Sequence, residues 1–135
     1  MRIMMFVAGA ALFAAPLFAA VPITGKWLTE DGKGIIDIVP CGPAICGKIG
    51  KVTVSTNGPP TDRNNPDPAL RARPLLGMTI INVKDAGSQW QGSVYSPERG
   101  KAYKAYVSRN ADGTLKMKGC IAAFLCQTQT WKPLR

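Results

Sequence analysis

The residues of this chain that are suited to acid–base or metal chemistry lie in one proline-rich stretch, TDRNNPDPALRARP, at residues 61–74. Asp62 and Asp67 carry the side chains of a general acid/base pair. With Asn64 and Asn65 they also offer oxygen ligands for calcium, but the spacing D-x-N-x-x-D lacks the glycine and final glutamate of an EF-hand loop. The stretch leaves three interpretations open: an active-site loop, a docking loop or an ordered connection.

Turn chemistry favours the ordered connection. The residue before a proline is held extended, so Asp67-Pro68 initiates a turn. The segment DPALRARP fits one helical turn, with Asp67 as N-cap and Pro68 at the first helical position. Arg71 is spaced for an i,i+4 ion pair with Asp67. We expect a loop that caps one end of the fold or lies along its side. In the functional alternative an anionic ligand or partner is met by Arg71 and Arg73 with Asn65, and Asp67 is a further candidate for contact with a partner.

Most catalytic chemistry is missing from the sequence. The chain has no histidine, which excludes Ser-His-Asp and Cys-His catalysis and removes the commonest metal ligand. It contains no G-x-S-x-G and no phosphate-binding glycine loop. We therefore predict a protein without catalytic residues, metal or cofactor, and the enzymatic alternative rests on Asp62 or Asp67 alone.

The four cysteines, Cys41, Cys46, Cys120 and Cys126, predict two disulfides, because an even count in an exported chain indicates a disulfide framework. The pairing Cys41–Cys46 and Cys120–Cys126 is favoured, since each pair brackets a short turn. The alternative is a zinc site with four cysteine ligands. Its usual spacing of two to four residues is reached by the first pair and exceeded by the second.

The N-terminus predicts export. Residues 1–20 begin with Arg2, continue as an apolar run and end in alanines, which is typical of a secretory signal peptide. The alternative is an uncleaved membrane anchor, but Pro16 interrupts a run that is barely long enough to span. We predict a cleaved signal at 1–20, one domain at 21–135, a periplasmic or secreted location, and no transmembrane anchor after cleavage.

The chain is basic, with a net charge of +9, or +8 once Arg2 leaves with the signal peptide. Such a charge attracts anionic components of the cell envelope. The lysines and arginines are scattered, so the charge is also explained by solvation alone. Nucleic acid is not expected as a partner, because the protein is exported and has no basic-aromatic cluster.

Glycine and proline punctuate the rest of the chain, and the short segments between them are rich in β-branched and aromatic residues. This pattern is typical of an all-β sandwich or barrel. We predict a small eight-stranded antiparallel up-and-down barrel with one long loop carrying a short helical turn. Closure removes the exposed sheet edges. The predicted strands are 24–30, 34–41, 46–54, 77–83, 88–96, 101–109, 114–121 and 126–134.

An eight-stranded barrel holds either a packed core or one small ligand. Strand alternation selects five residues to line a cavity for a hydrophobic or amphipathic ligand: Trp90, Tyr103, Met117, Gln129 and Trp131. Ordinary core packing is the competing interpretation for all five. On the last strand Gln127 and Gln129 share a face with Trp131, so they need polar partners if the tryptophan points inward.

Five segments taken in order, GKW, CGPAICGKI, NPDPALRARPLLGM, WQGSVYSPERGKAYKA and CQTQTW, resemble the exported bacterial family DUF2147, a domain of unknown function. The resemblance covers nearly all of the predicted domain. It implies a calycin-type barrel, similar to lipocalins, that binds a ligand in its interior. Gly25-Lys26-Trp27 also resembles the lipocalin G-x-W, whose tryptophan is covered by a basic residue. Arg135 and Lys132 are the candidates for that barrel-closing role.

The sequence thus favours an exported, non-enzymatic protein that binds a small, partly apolar ligand. The alternative is a module of the cell envelope that binds an anionic polymer or a protein through the 61–74 loop and its basic surface.

Overall fold

The computed structural model describes residues 19–53 and 58–134 of the chain. Eight antiparallel strands form a closed barrel in chain order, and the last pairs back with the first. The predicted all-β, up-and-down architecture is therefore confirmed, whereas most of the predicted signal peptide lies outside the described residues. The strands are β1 (Gly25–Leu28), β2 (Gly34–Cys41), β3 (Ala44–Val52), β4 (Thr79–Asp85), β5 (Trp90–Ser96), β6 (Lys101–Arg109), β7 (Leu115–Ala122) and β8 (Leu125–Pro133).

The strand connections alternate between the two ends of the barrel. The β1–β2, β3–β4, β5–β6 and β7–β8 connections lie at one end, called the open end below, and the 61–74 loop belongs to the β3–β4 connection. The β2–β3, β4–β5 and β6–β7 turns lie at the other, closed end with residues 19–24. Asp-Gly pairs turn the chain as predicted: Gly32 has a φ of 72° and Gly113 a φ of 88°, which favour glycine.

Alternate residues of every strand point inward. The inward side chains in the closed half of the barrel form its core. The fully buried apolar side chains come from five strands and the segment before β1, and they include Ile23, Trp27, Ile38, Ile81, Val83, Val107 and Leu115. The indole Nε1–H of Trp27 donates to the carbonyl oxygen of Ile23 at 2.9 Å, so its polar atom is satisfied inside the core. The alternation predicted for β6 and β7 agrees with the burial of Val107, Leu115 and Met117.

A glycine lets two strands approach closely on the β4–β5 side of the barrel. A Cβ on Gly92 would lie 2.0 Å from the backbone oxygen of Asn82, a distance that no side chain permits. Strands β4 and β5 approach this closely because position 92 has no side chain, as expected for a glycine within a strand.

Both favoured disulfides are present, which confirms the predicted pairing. Cys41–Cys46 closes the β2–β3 hairpin at the closed end, and Cys120–Cys126 closes the β7–β8 hairpin at the open end. Neither pair supplies a ligand for zinc. Each short ring stabilises the fold by about 2 kcal/mol in the loop-entropy account.

A cation that the sequence did not single out covers Trp27. The guanidinium carbon of Arg109, the last residue of β6, lies 5.5 Å from the centre of the Trp27 ring. Lys132 follows inward-facing Trp131 and so points outward, away from the ring that it was expected to cover. Arg135 lies outside the described residues. Among the described residues, the cation over Trp27 thus comes from the end of β6.

No helix within the described parts of the chain is long and apolar enough to cross a membrane.

Candidate functional site

The open half of the barrel is hollow. A cavity of about 1070 Å³ begins where the packed core ends, and it opens between the strand connections of the open end. Its inner wall is mainly apolar, because inward positions of β2, β3, β5 and β7 carry aliphatic residues or no side chain. Those inner residues are Ile36, Ile49, Val94, Met117 and Gly119.

Polar groups concentrate towards the mouth of the cavity. Gln127 and Gln129 line its wall from β8, and the guanidinium Nη2 of Arg99 donates to Oε1 of Gln127 at 3.3 Å. Lys33 lies at the same mouth, where its ammonium is 3.5 Å from the carboxylate of Glu98. The cavity therefore presents an apolar interior and a polar, partly cationic entrance.

Four of the five residues selected by alternation line this cavity: Tyr103, Met117, Gln129 and Trp131. Trp90 does not. It points inward, but it belongs to the closed half of the barrel, where its Nε1–H donates to the carbonyl oxygen of Val21 at 2.9 Å. Alternation predicted correctly that Trp90 faces inward. Its position in the closed half, farther along the barrel axis, separates it from the cavity.

The two inward glutamines of β8 obtain partners in different ways. Trp131 is buried in the cavity floor, and its Nε1–H donates to Oε1 of Gln129 at 2.9 Å. Gln127 accepts from Arg99, as described above. Because the oxygen of Gln129 is engaged, its amide NH₂ group is the part that can donate to a ligand. Gln129 thus lies both in a satisfied pair and on the cavity wall.

The 61–74 loop is an ordered element built around Asp62, whose side chain is fully buried at 0% exposure. Oδ1 of Asp62 accepts from the hydroxyl of Tyr95 at 2.6 Å. Oδ2 accepts from Nδ2 of Asn65 at 2.9 Å and from Nε and Nη2 of Arg73, both at 2.9 Å. A buried carboxylate is tolerated when its oxygens are paired in this way.

These contacts set the ionisation of the cluster. Burial raises the pKa of Asp62, but the hydrogen bonds from Tyr95, Asn65 and Arg73 and the charge of Arg73 together hold that pKa below its usual range. Burial, together with the hydrogen bond to Asp62 and its charge, raises the pKa of Tyr95 above its usual range. Asp62 therefore stays ionised and Tyr95 stays neutral at physiological pH.

The predicted helical turn is present as a 3₁₀ turn, Pro68–Leu70, with Asp67 as its N-cap. Oδ1 of Asp67 accepts from the backbone N–H of Ala69 at 3.0 Å. Arg71 does not take the expected partner Asp67, since its Nε–H donates to the carbonyl oxygen of Asn65 at 2.8 Å. All four loop residues proposed for a partner, Asn65, Asp67, Arg71 and Arg73, therefore make contacts within the loop.

The loop is fixed against the β5–β6 turn at the open end. Nδ2 of Asn64 donates to the carbonyl oxygens of Pro97 and Glu98, at 3.3 and 3.0 Å. Gly100, with a φ of 64°, lies beneath it, and a Cβ there would be 1.9 Å from the backbone oxygen of Asn64. The loop thus lies along one side of the mouth, where Thr61, Arg63 and Asn64 line the cavity.

Sequence reasoning missed the β7–β8 hairpin tip, residues 121–125. Three apolar side chains are exposed there: Ile121 by 67%, Phe124 by 83% and Leu125 by 55%. All three line the mouth of the cavity. The signal was present in the sequence, because the segment IAAFL between two paired cysteines has no polar residue, although a hairpin turn usually does.

A closed eight-stranded antiparallel barrel with a cavity open at one end is the architecture of a lipocalin-like protein. Residues 25–133 match the family described as "Uncharacterized protein conserved in bacteria (DUF2147)". The chain belongs to this family, which confirms the resemblance seen in its segments. Comparison with curated protein sequences found no significant match.

Among solved structures, the fold is similar to that of HP1028 from the human pathogen Helicobacter pylori, described as belonging to the lipocalin family. The TM-score is 0.74 at 21% sequence identity, over 86% of this chain and 85% of that chain. At this identity the similarity establishes a shared fold and leaves the ligand of this chain to be argued from its own residues.

Proposed function

We propose that this protein is an exported, non-enzymatic carrier that binds a small, partly apolar ligand in the open half of its barrel. The observation that carries the proposal is the cavity of about 1070 Å³ behind an open mouth. Pockets for small molecules typically measure about 300–1,000 Å³ and combine apolar walls with a few polar groups. The size and lining of this cavity fit that description.

The lining indicates how such a ligand lies. Its apolar part packs against Ile36, Ile49 and Met117 in the inner half. Its polar end meets Gln129 and the Arg99–Gln127 pair near the mouth. A ligand with an apolar body and a polar or anionic end satisfies both regions, because burying a charged end among aliphatic side chains would be costly.

The partners of the two loop carboxylates support a non-enzymatic role. Asp62 is enclosed by donors from three residues, and Asp67 caps the 3₁₀ turn. A general acid or base has to reach a proton on a substrate, and the contacts of Asp62 keep its carboxylate away from the cavity. Export is supported by the two disulfides, which persist in oxidising compartments.

Native mass spectrometry of protein purified from the periplasm tests the proposal directly. We expect a stoichiometric small molecule that denaturation releases, on a chain lighter than its reduced mass by the four hydrogens of two disulfides. A bare chain that also fails to bind any of a panel of fatty acids, fatty alcohols and alkyl amines would contradict the proposal.

A cavity-filling variant adds a structural control. A Cβ on Gly119 would make ordinary contacts with Tyr103 and Val94, at 3.6 and 3.8 Å, so a side chain is tolerated there and enters the cavity. Gly119→Leu is expected to abolish ligand binding and to retain the fold. Thr128→Leu on the outward face of the neighbouring strand is the matched control, and it should bind as the wild type does. Equal binding by all three proteins would exclude the cavity as the site.

A further inference from the structure

The β7–β8 hairpin tip, residues 121–125, is the most exposed apolar surface at the open end of the barrel. Ile121, Phe124 and Leu125 are exposed by 67%, 83% and 55%. The Cys120–Cys126 disulfide lies at the base of the tip and holds its two strands together. The apolar side chains are therefore presented by a stapled element, and little conformational entropy is lost when they bind a surface.

Basic side chains lie beside this tip on one side of the barrel. Strands β6, β7 and β8 carry six lysines and arginines and no aspartate or glutamate. Lys101 and Lys104 lie in the open half and Lys118 lies midway along β7, whereas Arg109, Lys116 and Lys132 lie towards the closed end. Lys104 pairs in register with Cys120, so its side chain leaves the outer wall directly beside the disulfide. Arg99, which contacts Gln127 on β8, adds a further cation at the mouth.

Two of these cations contact one aromatic ring on the outer wall. The ammonium groups of Lys104 and Lys118 lie 5.5 and 5.4 Å from the centre of the Tyr106 ring. Attraction to the ring face stabilises two like charges on one small area. An anionic surface that approaches the tip from the β6–β7 side thus meets these lysines, whereas Asp31 and Glu98 lie at the mouth on other strand connections.

We propose that the protein docks by this open end on a bilayer that contains anionic lipids. Ile121, Phe124 and Leu125 enter the boundary between headgroups and acyl chains, and Lys101 and Lys104 contact the phosphates. Exposed aliphatic and aromatic side chains flanked by lysine and arginine are the combination that binds such an interface. The proposal goes beyond carriage of a ligand, because docking of the tip does not require an occupied cavity.

The geometry links membrane docking to ligand binding in the cavity, and this link rests on the proposed function. The residues of the tip also line the mouth of the cavity. A docked protein therefore faces the bilayer with its entrance, so an amphipathic ligand can pass between membrane and barrel without crossing water.

The first experiment places a fluorescent reporter on the tip. Phe124→Trp adds an indole at the proposed insertion point, and Val21→Trp adds one at the closed end, where Val21 is exposed by 57%. Vesicles of phosphatidylcholine and phosphatidylglycerol are the probe. The emission of Phe124→Trp should shift to the blue on mixing, and that of Val21→Trp should not. An unchanged emission of Phe124→Trp, or equal shifts in both variants, would overturn the proposal.

The second experiment removes the apolar groups. Co-sedimentation with the same vesicles should weaken about tenfold or more in the Ile121→Ser/Phe124→Ser/Leu125→Ser variant, and it should stay unchanged in Val21→Ser. Binding should also fall when salt rises or when phosphatidylglycerol is left out. We expect the triple variant to fold, because exposed positions contribute little to the core. Circular dichroism is the control for folding.

Two outcomes would contradict docking on a membrane. Sedimentation of the triple variant at the wild-type level would show that the tip does not bind lipid. Self-association that depends on Phe124, with no binding to vesicles, would assign the tip to a second copy of the chain. Ligand binding measured without vesicles is independent of both, so failure of docking is distinguishable from failure of carriage.

Discussion

The hydroxyl of Tyr95 on β5 donates to Oδ1 of Asp62 at 2.6 Å, and this bond ties the barrel wall to the buried carboxylate of the 61–74 loop. Removal of the hydroxyl leaves the carboxylate with one donor fewer inside the protein. Tyr95→Phe should therefore lower the free energy of unfolding by about 1–3 kcal/mol, measured by urea denaturation. Tyr106→Phe on the outer wall is the control, with an expected change within about 0.5 kcal/mol. Equal effects would refute a specific role for the Tyr95–Asp62 bond.

The same cluster predicts a dependence of stability on pH. The folded-state pKa of Asp62 lies below its ordinary value of 3.8. The ionised carboxylate thus contributes stability above that pH, and the contribution is lost as pH falls through the folded-state pKa. The difference in urea midpoint between the wild type and Asp62→Asn should shrink as pH is lowered from 7 through this window. A difference that is constant with pH would contradict the assignment.

At alkaline pH the sign is reversed for Tyr95. Its folded-state pKa lies above the ordinary 10.0, so the neutral phenol contributes stability below that pH. The contribution is lost as pH rises through the raised pKa. The wild type should lose stability above about pH 10 more steeply than Tyr95→Phe does, which urea unfolding at a series of alkaline pH values can measure.

Two glycines with positive φ distinguish backbone strain from steric contact. Gly113, with a φ of 88°, has no heavy atom within 4 Å of an added Cβ, so Gly113→Ala should cost only the strain of about 1–2 kcal/mol. Gly100→Ala adds a clash with the backbone of Asn64, and we expect a loss of about 3 kcal/mol or more. Thermal or urea unfolding measures both. Equal losses would show that the 61–74 loop does not rest on Gly100.

The covering of Trp27 by Arg109 predicts a smaller effect. The guanidinium lies 5.5 Å from the ring centre, and Nη1 donates to the carbonyl oxygen of Pro22 at 3.5 Å. Because Arg109 is exposed, Arg109→Ala should cost about 0.5–1 kcal/mol in urea unfolding. Lys116→Ala, an outward lysine on the next strand, should change the stability by less. The reverse order would show that the cation over Trp27 has no structural role.

The strands were predictable because two local signals agreed, namely alternation within each segment and glycine or Asp-Gly pairs between segments. Closure also followed, since eight strands joined by tight turns leave edges that must be paired. The identity of the cation over Trp27 was not predictable, because it depends on which hairpin reaches the closed end in three dimensions. For the same reason alternation predicted that Trp90 faces the barrel interior, but it did not predict that Trp90 lies in the closed half, outside the cavity.

Part of the wall of the candidate cavity was predictable from the sequence, whereas its mouth was not. Gln129 and Trp131 were found from the period of β8. The role of Asp62 was missed because its partners Tyr95 and Arg73 are 33 and 11 residues away in sequence. The apolar tip at Phe124 was missed because polar and titratable side chains are the usual signs of a functional site, and this turn contains none.

The seam between β1 and β8 has a consequence for how the barrel forms. The register between these strands has two residue pairs in the described chain, Trp27↔Pro133 and Leu28↔Lys132. The backbone N–H of Leu134, which donates to the carbonyl oxygen of Lys26, and the Glu30 carboxylate, which accepts from the backbone N–H of Thr130, extend this short seam. Every other strand pairs with its neighbour in sequence. The chain can thus zip up as successive local hairpins, and closing the seam costs the largest loop entropy and comes last. Substitutions at the seam should therefore speed unfolding and leave the folding rate nearly unchanged.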